Sequence, residues 1–182
     1  MRKICLLLML PLAVAAQQNK GTTGEQKIAA FKQQQLLLQQ SPYKNLEWRL
    51  TGPDNRSGRS TDVVGITGNP NVFYAAFATG GLWKTEDAGV NWKPIFDKEA
   101  TQSIGSIALA PSNTNILYVG TGEANIFRAS LPGIGMYKST DAGKTFQHTG
   151  LENTGTIARV IVHPKNANLV YVAASGNEWT YN

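Results

Sequence analysis

From residue 60 onward, short apolar runs alternate with polar turns, and the alternation repeats. Val63–Ile66, Ile104–Leu109 and Ile157–Val162 are apolar runs rich in β-branched residues. Each leads into a turn signal (Asn69-Pro70, Ala110-Pro111 or His163-Pro164) and then into a second run centred on Tyr74, Tyr118 or Tyr171. Two short runs of this kind across a Pro/Asn turn predict an antiparallel hairpin. The first two units continue alike. A third run, Leu82-Trp83-Lys84-Thr85 or Met136-Tyr137-Lys138-Ser139, meets a reversal at Asp87-Ala88-Gly89 or Asp141-Ala142-Gly143. An aromatic residue follows, Trp92 or Phe146, and opens a fourth run. The pattern predicts four strands, four strands and two strands.

The prolines Pro70, Pro111 and Pro164 are 41 and 53 residues apart, and Asp87 lies 54 residues before Asp141. A period of ~40–50 residues carrying four short strands is the spacing of β-propeller blades. The expected fold class is therefore all-β: four-stranded antiparallel blades, about two and a half of them, spanning residues 46–182. Propellers close with ~4–8 blades, and closure protects strand edges. The chain is thus expected to be the N-terminal part of a longer propeller that lacks its C-terminal blades; self-association of a short protein is the rival. Leu46–Leu50 precedes the first inner strand much as Trp92 and Phe146 precede the next ones, and reads as an outermost strand without its blade.

The N-terminal region has a different texture. Met1-Arg2-Lys3 is basic, Ile4–Val14 is apolar apart from Pro11, and Val14-Ala15-Ala16 puts small residues before Gln17. This three-part pattern predicts a cleaved signal peptide over 1–16, and hence a secreted or periplasmic protein. The apolar run falls short of the ~20 residues that span a bilayer. Residues 17–45 form a Gln-rich arm. Ile28, Phe31 and Leu36–Leu38 suggest a helix within it that Ser41-Pro42 ends, although no clean apolar stripe is present. Its expected role is a spacer or an arm packed on the main body.

Composition removes other classes. Of 182 residues, 42% are hydrophobic and 16% charged, which excludes wholesale disorder. Cys5 is the only cysteine, so neither a disulfide framework nor a cysteine zinc site is available. The formal charge of +5 falls to +3 without Arg2 and Lys3, too little and too scattered to argue for nucleic acid. His148 and His163 are separated and give no metal site, and no cofactor is implied.

The Asp-Ala-Gly reversals have a mechanical reading: the carboxylate accepts N–H bonds within its own turn and the glycine supplies positive φ. The segments Thr85-Glu86-Asp87-Ala88-Gly89-Val90-Asn91-Trp92 and Ser139-Thr140-Asp141-Ala142-Gly143-Lys144-Thr145-Phe146 resemble the Asp-box, or BNR repeat, Ser/Thr-x-Asp-x-Gly-x-Thr-Trp/Phe. The first departs from it at Asn91. That family includes sialidases, xyloglucan-active glycoside hydrolases and sortilin/Vps10-type receptors. With Gly52-Pro53, Ser57-Gly58-Arg59, Gly80–Thr85 and Gly120–Glu123, residues 46–182 are most similar to secreted bacterial BNR-repeat, glycosyl hydrolase-like or sortilin-like proteins. The resemblance implies a propeller. It makes Ser139, Asp141, Gly143, Phe146, Thr85, Asp87, Gly89 and Trp92 structural residues.

Strand parity places these reversals on one face and the loops between second and third strands on the other. The latter face holds a long loop, Glu123–Ile134, where the first unit has only Thr79-Gly80. Long loops on a rigid scaffold concentrate function. Candidate ligand-binding residues are Arg56, Arg59, Glu123, Asn125, Phe127, Arg128 and Arg159; arginines at a channel mouth suit an anion, and Phe127 or Trp179 suits a sugar ring or apolar side chain. The competing reading ties Arg59 and Arg159 to carboxylates and Glu123 to backbone groups. Glu123 and Asp62 are the sole candidate catalytic pair for a glycosidase, which needs two carboxylates ~5–10 Å apart. The resemblance carries over no catalytic set. Ala78 stands where xyloglucan-active enzymes have an Asp, and Phe127-Arg128-Ala129-Ser130 only faintly echoes the sialidase Phe/Tyr-Arg-Ile-Pro. Enzymatic status stays open. The favoured function is a binding module for a peptide, glycan or protein partner, or a scaffold; the alternative is a glycoside hydrolase-like enzyme whose catalytic set lies partly in further blades.

Overall fold

The computed structural model describes residues 22–46, 59–125 and 130–176. The expected signal peptide over 1–16, Glu47–Leu50 of the expected outermost strand, Arg56, Phe127, Arg128 and Trp179 lie outside them. Helix α1 spans Gly24–Gln40. Thr23 caps it reciprocally: its hydroxyl accepts from Gln26 N, and the Gln26 side chain accepts from Thr23 N. Ser41 ends the helix in an extended conformation ahead of Pro42, which disfavours the helical region for the residue before it.

Ten strands follow in three sheets. β1 (Ser60–Ile66), β2 (Asn69–Phe77), β3 (Gly81–Thr85) and β4 (Lys93–Pro94) form the first, in chain order. β5 (Ile104–Ala110), β6 (Asn113–Thr121), β7 (Met136–Ser139) and β8 (Gln147–Gly150) form the second, and β9 (Ile157–His163) pairs with β10 (Asn166–Ala174). All pairings are antiparallel between consecutive strands. The register repeats with the sequence: Val63 opposes Ala75, Ile107 opposes Val119, and Val160 opposes Val172.

Because side chains alternate across a strand, each sheet offers two faces. Tyr74, Ala76 and Leu82 of the first sheet pack on Ile107, Leu117 and Val119 of the second. Ala108, Tyr118 and Met136 on the other face of the second sheet pack on Ile157, Val160 and Val162. The middle sheet is therefore covered on both sides. Two glycines permit the close approach. A Cβ at Gly105 would overlap the carbonyl oxygens of Ile157 and Gly122, and one at Gly120 would press on Ile157 and Val160. Phe146 reaches the first unit, meeting Phe96, just beyond β4, edge-on at 4.9 Å. Trp92 instead meets Phe73 of its own sheet at 5.1 Å. No preceding sheet lies against it among the described residues.

Candidate functional site

The reversals after β3 and β7 share one hydrogen-bond design. In the second, Asp141 Oδ1 accepts from Lys144 N (3.0 Å), Thr145 N (2.9 Å) and the Ser139 hydroxyl (2.8 Å), while Oδ2 accepts from Thr145 Oγ1 (2.6 Å). In the first, Asp87 accepts from Asn91 N at 2.8 Å and from the Asn91 side-chain amide at 2.7 Å. Asn91 thus does with its amide what Thr145 does with its hydroxyl. Gly89 N and Gly143 N donate to the Thr85 and Ser139 hydroxyls. Positive φ is shared by Ala88 with Gly89 and by Ala142 with Gly143, so the turn asks it of two residues rather than of the glycine alone. The bonds from Thr145 and Ser139 hold the Asp141 carboxyl far below the usual carboxylate range, and those from Asn91 lower Asp87. Both carboxylates are thus engaged within their own turns, and both turns lie opposite the 2–3 loops.

The inner strands carry the other polar system. One hydrogen bond recurs at the same repeat position: Ala78 N donates to Arg59 O, Gly122 N to Ser103 O, and Ser175 N to Thr156 O. It closes the wide end of each inner hairpin and puts Arg59, Ser103 and Thr156 on one rim. Three residues further on, Asp62, Ser106 and Arg159 occupy equivalent places on β1, β5 and β9. Asp62 Oδ2 accepts from the Ser106 hydroxyl at 2.8 Å and from Ile107 N at 3.1 Å. Ser106 Oγ in turn accepts from Val160 N at 3.2 Å. Each side chain thereby takes the backbone amide of the next inner strand. Arg159 breaks the series, because a guanidinium cannot accept. Its Nη1 lies 3.7 Å from Asp62 Oδ2 instead.

Glu123 begins the long 2–3 loop and is buried, at 2% exposure. Its Oε1 accepts from Arg59 Nε at 2.8 Å and from Arg59 Nη2. Asp62 and Glu123 are thus each joined to an arginine between sheets, and the Glu123 carboxylate bonds a guanidinium rather than the backbone groups expected of it. Asn125 is exposed further along the same loop. The structure brings Arg59 together with Glu123, and Asp62 with Arg159, as two separate pairs. Ser106 was the unforeseen partner; its alignment with Asp62 in the repeat was the available signal. His148 Nε2 lies 2.7 Å from Ile134 O, which occupies it structurally. Among the described residues there is no cluster of three potential metal ligands, and no helix is long and apolar enough to cross a membrane.

On the opposite face, a groove of about 680 Å³ separates the outer edges of the first two sheets, with Lys84, Lys93, Glu99, Lys144 and Phe146 among its walls. Burial raises the Glu99 and Asp97 carboxyls there, and the lining mixes charges of both signs.

Comparison with solved structures settles the architecture. An ancestral GH74 enzyme superposes with a TM-score of 0.50 and 24% identity over 63% of this chain and 16% of that one. The fold is a run of β-propeller blades. The Niastella koreensis GH74 enzyme matches at TM-score 0.47 and 22% identity, over 60% of this chain and 16% of its own. The GH74 xyloglucanase from Xanthomonas campestris matches at 0.48 and 22%, over 63% and 18%. The chain thus spans about a sixth of the length of these enzymes. No protein-family model and no curated protein matches the chain.

Proposed function

We propose that this chain supplies blades to a secreted, glycoside hydrolase-like β-propeller, and that its part in that protein is to bind glycan rather than to cleave it. The observation that carries the reading is the likeness of the stacked sheets to a GH74 propeller. It favours the hydrolase-like alternative over a peptide receptor or a bare scaffold. The reversals after β3 and β7 serve in it as Asp-box turns, and residues 1–16 as the export signal. Arg59, Asn125 and Arg159, with Arg56, Phe127 and Arg128 in the adjoining segments, are the candidate glycan contacts. Asp62 and Glu123 are held by arginine and backbone donors, so the cleaving carboxylates belong to other blades.

Further blades also suit the outer faces. Val63 is 56% exposed, whereas its repeat equivalents Ile107 and Val160 are buried against the preceding sheet. Tyr171 is 59% exposed, whereas Tyr74 and Tyr118 are buried. Tyr74 donates to Ala142 O of the next sheet at 3.2 Å, and Tyr118 to Ala167 O at 2.9 Å. A following blade offers Tyr171 the same kind of acceptor.

Affinity electrophoresis of the chain in gels containing xyloglucan tests the function. Retardation without release of reducing ends is the expected result. Release of reducing ends would place the catalytic set in this chain. Migration unchanged by xyloglucan and by a panel of other β-glucans would overturn the glycan reading.

A further inference from the structure

We propose that the cavity between α1 and the 2–3 loop face is a binding site for a small carboxylate with an apolar body. The sequence gives the Gln-rich arm no role beyond spacing or packing, yet Lys27 of α1 lines this cavity. Its less exposed positions are Gly24, Lys27, Ile28, Phe31 and Gln35, which fall on one helical face at spacings of three and four. The helix is fixed at its N-terminal end. Gly24 N donates to Asn153 Oδ1 at 3.1 Å, and Asn153 Nδ2 donates to Glu25 Oε1 at 3.2 Å. Gly24 also lies so close to the Glu152 carbonyl that no side chain fits there. Ile28 packs on the core shared by the first two sheets.

This docking sets Lys27 at the edge of a cavity of about 370 Å³, within the range of small-ligand sites. The other walls come from three loops: Thr79 between β2 and β3, Ala100–Ser103 before β5, and Leu131, Pro132 and Ile134 before β7. Ala100, Leu131, Pro132 and Ile134 make the lining mainly apolar. The polar atoms nearby are largely committed: Gln102 Nε2 donates to Phe96 O, Ser103 Oγ donates to Leu131 O, and Thr101 Oγ1 accepts from Ser103 N. The Lys27 ammonium has no hydrogen-bond or ion-pair partner among the described residues. An uncommitted ammonium beside an apolar hollow matches one ligand shape, an apolar group that enters and a carboxylate that stays at the mouth. The site is independent of the glycan reading and uses none of the inner-rim arginines.

Titration of the whole chain with phenylacetate, and in parallel with the uncharged analogue 2-phenylethanol, tests the proposal by calorimetry or ligand-observed NMR. Phenylacetate is expected to bind saturably, with about fivefold preference over the alcohol, the scale of one partly exposed ion pair. Lys27→Met removes that preference and leaves alcohol binding unchanged. Thr79→Trp, at an exposed loop position, fills the mouth and abolishes binding of both, while the far-ultraviolet spectrum stays that of the parent. Equal binding of acid and alcohol by the parent, an undiminished preference in Lys27→Met, or undiminished binding in Thr79→Trp would each overturn it. So would the absence of saturable binding.

Discussion

The inner hairpins of the middle sheet and of the two sheets flanking it share one register and differ in what covers them. Ile107 of β5 is 2% exposed, and its equivalent Val63 of β1 is 56% exposed. The residues are alike; the neighbour is not. Hydrophobic burial is thus a property of stacking here, not of the blade, and one blade alone has nothing to bury its faces against.

The same contrast orders the expected effects of mutation. Ile107→Ala removes a side chain enclosed between two sheets and should cost ~2–5 kcal/mol in urea denaturation. Val63→Ala should cost less than ~0.5 kcal/mol, because no cavity forms on an open face. A loss at Val63 as large as at Ile107 would show that the β1 face is covered. The two ion pairs differ likewise. Arg59→Ala strips the buried Glu123 carboxylate of both guanidinium donors and should cost ~1–3 kcal/mol. Arg159→Ala removes a 64%-exposed side chain 3.7 Å from its partner and should be nearly silent. The tyrosines give a smaller version of the test. Tyr118→Phe loses the bond to Ala167 O, worth ~1 kcal/mol, whereas Tyr171→Phe should change nothing in the chain by itself.

A pH scan separates the turns from the stack. The Asp141 carboxyl is depressed in the folded protein from its ordinary value of 3.8, so the native state favours its charged form. Its stabilisation is complete above that value and is lost as pH falls below about 4 toward the folded-state value. Asp141→Asn should flatten that acid limb measured by thermal melts. Asp87→Asn should flatten it less, since the depression there is smaller.

The strands and their hairpins were legible because alternation, turn residues and the Tyr-centred runs agree locally, and the repeat checks each unit against the next. The reversals were legible for the same reason, since every partner of Asp141 lies within four residues. The inner-rim pairs were legible only as candidates. Arg59 meets Glu123 across 64 residues, and nothing local tells that pairing from Arg59 with Asp62. The seat of α1 was hidden for another reason. Its docked face of Gly24, Lys27, Ile28, Phe31 and Gln35 mixes small, charged, apolar and polar groups, while the more apolar Leu36–Leu38 is exposed. A hydropathy pattern reads the wrong side of such a helix.

Native-state hydrogen exchange tests the central claim, that three consecutive sheets stack and that, among the described residues, only the middle one is covered on both faces. The amides of Leu117, Tyr118 and Val119 in β6 should exchange slowest, ahead of those at the same repeat positions in β2 and β10. Equal protection across all three sheets, or slowest exchange in α1, would contradict it.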